Sequence, residues 1–87
     1  MSEDADRDRE VGALLARHAT ALGDPGAPVL DRLRAHAEFK RLGGALEREL
    51  VASARREGAT WEGIAEALGL ARQTVHRRFS RPDGSAG

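Results

Sequence analysis

An all-α fold of four to five helices, closing in a C-terminal trihelical unit, is predicted by three features of this 87-residue chain. Apolar residues recur three and four apart along most of its length, which is helical spacing. No stretch alternates apolar and polar residues as a half-buried strand would. Glycine and proline stand between the apolar runs, at Gly23-Asp24-Pro25-Gly26, Gly58, Gly69 and Pro82, and cut the chain into pieces of helical length.

The pieces follow in order. Residues 1–8, rich in Asp and Glu, are expected to fray. From Arg9 to Leu22 one apolar stripe runs through Val11, Leu14, Leu15, Ala19 and Leu22. A second helix starts at about Pro28, a favourable first helical position, and runs to about Leu42 with Leu30, Leu33 and Ala37 as its stripe. Gly43-Gly44 can be a kink or a break before a third helix. The stripe Phe39, Leu42, Leu46, Leu50, Ala54 continues across the pair, which favours a bent but continuous helix. Gly58 ends that segment, with Arg55 and Arg56 in its last turn where positive charge suits the helix dipole.

The segment Thr60 to Phe79, TWEGIAEALGLARQTVHRRF, is the most informative part of the chain. Thr60 caps a short helix containing Ile64, Ala65 and Leu68, with Glu62 in its first turn. The capping box is incomplete, because Gly63 stands where Glu or Gln would reach back. Trp61 is expected to close over the core. Gly69 tolerates the positive φ that a tight turn demands. A second helix follows, whose Val75 and Phe79 lie on one face to pack on Ile64 and Leu68. Phe79 is expected to anchor it. Ala65 is the small residue that lets the two helices approach. The outer face of the second helix is Arg72, Gln73, His76 and Arg77, all hydrogen-bond donors with no acid among them. That is the plan of a helix-turn-helix, whose second helix enters the major groove of DNA. Arg can grip guanine, and Gln adenine, through paired hydrogen bonds.

GLARQTVHRRF resembles the recognition-helix segment of bacterial helix-turn-helix regulators, in the style of the tetracycline-repressor type and of region 4 of sigma factors. Gly69 matches the turn glycine, Thr74 and Val75 the Thr-aliphatic pair, and Phe79 the anchoring aromatic. TWEGIAEALG is similar to the preceding helix, with its Ile-Ala pair at Ile64 and Ala65. The resemblance covers twenty to thirty residues and is specific for the motif rather than for one family. It departs at Ala71, where such motifs have Ser or Thr; the lost cap bond is worth roughly 1 kcal/mol. In the tetracycline-repressor type the motif precedes a large ligand domain, whereas here it is C-terminal.

Charge and length shape the functional expectation. Net charge is zero, but residues 1–69 hold ten Lys or Arg against thirteen Asp or Glu, whereas residues 70–81 hold four Arg and no acid. Basic charge is thus concentrated on the second helix of the motif. A +4 patch gives modest phosphate attraction per subunit, which pairing of two copies would double. A chain this short buries only about 60% of its unfolded surface, and association is a common remedy. The chain is therefore read as a single domain. Helices over 9–42 are assigned to dimerisation, the helix-turn-helix unit to 45–81, and a flexible tail to 82–87.

The leading expectation is a small regulator of transcription that reads duplex DNA as a homodimer. Arg72, Gln73, His76 and Arg77 would contact base edges or phosphates, and Thr74, Arg78, Ser80 and Arg81 the backbone. The alternative is a protein-interaction module docking on RNA polymerase, a sigma factor or another regulator through the acidic N-terminal half.

Other chemistries find little support. There is no cysteine, so no disulfide or Cys-based zinc site. His18, His36 and His76 are scattered, and no serine or glycine loop carries a nucleophile or phosphate-cradle pattern. The three aromatic residues make no stacking platform for single strands. No catalytic, cofactor or metal site is expected. With no apolar run near the ~20 residues of a membrane span and an N-terminus unlike a signal peptide, a cytoplasmic location is expected.

Overall fold

The computed structural model describes residues 3–80. It is all-α, with four helices: α1 (Glu3–Leu22), α2 (Val29–Arg56), α3 (Trp61–Leu68) and α4 (Arg72–Phe79). No described helix is long and apolar enough to cross a membrane. The chain divides into two compact units, Met1–Glu47 and Arg48–Gly87, where the sequence reads a single domain. The tail over 82–87 lies outside the described residues.

In the first unit, α1 begins at Glu3, so residues 3–8 are helical rather than frayed. Glu3, Asp4 and Asp6 occupy the first turn, where the helix dipole favours negative charge. Arg7 pairs with Asp4 at 3.7 Å and Arg9 with Asp6 at 2.6 Å, one turn apart. No basic residue stands in the last turn of α1. Arg32 of α2 supplies that charge, its Nε donating to the Leu22 carbonyl at 2.9 Å. Between the helices, Asp24 Oδ1 accepts from the Gly26 amide at 2.9 Å, a side-chain mimic of a turn. Pro28 stands just ahead of α2 rather than inside it, its carbonyl accepting from the Arg32 amide at 3.1 Å.

The buried side of α2 within this unit differs from the expected one. Ala35 is buried and Arg32, Glu38 and Leu42 are half-buried. Leu30 and Leu33, on the apolar stripe of the segment read as a pairing surface, are 63% and 57% exposed, and Ala37 is exposed as well. Leu14 and Leu15 of α1 are half-buried. The helix runs unbroken through Gly43-Gly44, as the continuing stripe favours.

The second unit is built on Val51, Ile64, Ala65 and Val75, with Trp61, Leu68, Leu70 and Phe79 packed against them. Val51 takes the place expected for Leu50, which is 55% exposed. Val75 is fully buried, whereas Phe79 is only half-buried. The anchor of α4 is therefore Val75, and the aromatic ring lies at the margin.

Two turns of one kind aim the short helices. At the end of α2 the Ala59 amide donates to the Ala54 carbonyl at 2.9 Å and the Gly58 amide to the Arg55 carbonyl at 3.0 Å. At the end of α3 the Leu70 amide donates to Ala65 at 3.0 Å and the Gly69 amide to Glu66 at 3.2 Å. Both are Schellman closures. Each needs one residue in the left-handed region, supplied by Gly58 at φ 95° and Gly69 at φ 72°. The start of α3 is fixed by Thr60, whose Oγ1 accepts from the Gly63 amide at 3.0 Å.

Candidate nucleic-acid interface

The site builds from α4, which has one buried residue, Val75. Burial of Val75 sets the rotation of the helix. At ~100° per residue, positions 73 and 77 stand roughly 160° from Val75, with 76 roughly 100° and 72 roughly 60° away on the same flank, so the four form one continuous face. Arg72, Gln73, His76 and Arg77 are all exposed and together line one shallow concavity of about 310 Å3. The structure thus brings together the four residues nominated from sequence as readers.

The remaining nominated residues are placed differently. Thr74 is half-buried. Arg78 lies on the other side of α4, its guanidinium carbon 5.8 Å from the Phe79 ring centroid. Ser80 is half-buried, and its hydroxyl donates to the His76 carbonyl. Arg81 lies outside the described residues.

His76 is held more firmly than an open reading residue would be. Its ring meets Trp61 edge-on at 5.7 Å between centroids and 78° between planes. Its Nδ1 lies 3.3 Å from Ser80 Oγ. The Arg55 guanidinium also lies over the Trp61 ring, 4.4 Å from its centroid. Arg55 is fixed in turn by donating from Nη1 to the Ala59 carbonyl at 2.9 Å. A relay of side chains, Arg55, Trp61, His76 and Ser80, therefore ties the last turn of α2 to the start of α3 and the exposed face of α4. Sequence reasoning placed Trp61 at the core margin but missed Arg55. The available signal was an arginine in the last turn of one helix, with an aromatic at the first position of the next.

The start of α4 lacks a side-chain cap. Ala71 has the extended backbone of an N-cap residue, φ −69° and ψ 147°, and makes no side-chain bond there. Ala71→Ser is expected to raise stability by roughly 0.5–1 kcal/mol through one regained bond. A thermal melt checks it, and a lower midpoint would show that the hydroxyl does not reach the first turn.

Among the described residues, no group of three His, Asp or Glu side chains is placed to hold a metal ion. Comparison of the chain with protein-family models, with curated proteins and with solved structures gives no match.

Proposed function

We propose that the chain is a small helix-turn-helix regulator that binds duplex DNA in the major groove as a homodimer. One observation carries the reading: Arg72, Gln73, His76 and Arg77 share an exposed face of a short helix whose opposite side is locked by Val75. Donor side chains on a rigid helix, free of carboxylates, match the acceptor-rich edges of purines and the phosphate backbone. The left-handed glycine turn before the helix supports the same reading. Arg72, Gln73 and Arg77 do the reading. His76, held by Trp61 and Ser80, sets the angle at which they are presented. Such a role places the chain in the cytoplasm with the DNA.

The N-terminal unit supplies the second half of the proposal. Val29, Leu30 and Leu33 present apolar surface on one face of α2, each more than half exposed. A second copy is the occupant that makes the unit useful to a DNA reader. Two-fold pairing there would join two α4 helices in one assembly, as recognition of a two-fold half-site pair requires.

A gel shift on a site recovered by genomic pull-down tests the reading face. Gln73→Ala and Arg77→Ala should each weaken specific binding by about 1–3 kcal/mol while leaving the melting curve in place. Wild-type affinity should fall steeply between two salt concentrations. Unchanged affinity in both variants would remove these residues from the interface.

A further inference from the structure

A second surface of the C-terminal unit has no part in the reading face. A groove of about 610 Å3 runs between the last turns of α2 and the C-terminal half of α4. Four arginines rim it: Arg48, Arg55 and Arg56 from α2 and Arg78 from α4. Among the described residues no carboxylate lines it. Its floor is apolar, with Ala52 exposed and the rings of Trp61 and Phe79 each half-buried, the Arg55 guanidinium lying over part of the Trp61 ring and that of Arg78 beside the Phe79 ring.

The position of the groove separates it from bound DNA. On α4, Arg78 stands roughly 100° around the helix from Arg77, roughly 140° from Gln73 and roughly 120° from Arg72. A duplex held by Arg72, Gln73 and Arg77 leaves the Arg78 side open. Phosphates would satisfy the arginines but would not use the aromatic floor. A segment carrying both carboxylates and a large apolar side chain satisfies both parts. Arginine pairs with carboxylate through two parallel bonds, and a pocket of Arg and Trp is the composition in which protein contacts concentrate their energy.

We propose that this groove is a docking site for an acidic peptide segment of a partner protein, with its carboxylates on the arginine rim and one apolar side chain seated between Trp61 and Phe79. The site is independent of the DNA-binding reading and can be occupied while the reading face is engaged.

Trp61 is the only tryptophan of the chain, so its fluorescence reports directly on the groove. The probe is a synthetic peptide of Asp, Glu, Leu and Phe, compared with the same peptide carrying Asn and Gln for its acids, with inorganic phosphate, and with duplex DNA. The acidic peptide should shift Trp61 emission saturably, and the neutral peptide and phosphate should not. Arg48→Gln with Arg56→Gln should weaken peptide binding at least about tenfold, as loss of close charge pairs does. Ala52→Glu, a change at an exposed helical position, should weaken it similarly by setting like charge in the floor. It keeps the test decisive if the arginine pair melts early. Binding of the peptide that survives both substitutions would overturn the proposal. So would duplex DNA whose affinity falls in Ala52→Glu as much as the peptide's, since the groove would then belong to the DNA interface. Loss of DNA binding alone, with peptide binding intact, would count against the regulator reading and not against this one.

Discussion

Val75→Asp is expected to abolish the cooperative melt of residues 48–80. Val75 is the one fully buried side chain of α4, and Ile64 and Ala65 of α3 and Val51 of α2 close around it. A carboxylate there finds no partner, and burying an unpaired charge costs more than about 4 kcal/mol. A chain of this size has total stability on the order of 5–10 kcal/mol, so the unit should lose its fixed packing. Circular dichroism against temperature measures it. Leu50→Asp is the control. Leu50 precedes the buried Val51 by one residue yet is 55% exposed, so that change should fall within about 1 kcal/mol of wild type. Equal melting of Val75→Asp and wild type would mean that α4 is rotated from the position described.

The second large effect concerns association. Leu30→Glu with Leu33→Glu should convert dimers to folded monomers, because both leucines are exposed and their loss leaves no cavity within the chain. DNA affinity should then drop by about a hundredfold or more, since two linked half-site contacts exceed either one by that order. Light scattering and a gel shift on the same samples measure both. A wild-type chain that is monomeric at high micromolar concentration and still binds DNA tightly would refute the dimer, as would a double variant that stays dimeric.

Much of the C-terminal unit was legible because its signals are local. Thr60 caps, Gly58 and Gly69 close, and Ala71 lacks a capping oxygen, each as its residue type dictates. The shared exposed face of Arg72, Gln73, His76 and Arg77 followed from the burial of Val75. The phase of α2 was not legible in the same way. Leu30, Leu33 and Ala37 form one helical stripe, and Arg32, Ala35 and Leu42 another. Periodicity alone cannot choose between them, and hydrophobicity favours the leucines, which the structure leaves exposed. Burial of Arg32 depends on a bond to the Leu22 carbonyl, ten residues back, which no local pattern announces. The same is true of Arg55 over Trp61, where a turn intervenes between the partners. Phe79 was overvalued because an aromatic outweighs a valine on any hydrophobicity scale, yet the end of a short helix is where the core thins out. The opening of α1 is helical despite its charge, because acids at a helix start, paired one turn on with arginines, favour helix.

The division of labour on α4 bears on how such a protein can diverge. The residues that hold the fold, Val51, Ile64, Ala65 and Val75, are a separate set from Arg72, Gln73 and Arg77, which face solvent. The turns that aim the helix are closed by main-chain amides and glycines, so they constrain none of these three side chains. Substitutions at 72, 73 and 77 therefore fall among surface changes, which shift stability by only about 0.5 kcal/mol either way. A lineage can change these three side chains without first acquiring a sturdier scaffold. His76 is the exception. Its ring leans on Trp61, and Trp61 carries Arg55, so a change there disturbs the scaffold together with the exposed face. Position 76 is where a change would require compensation elsewhere, at Arg55 and Trp61.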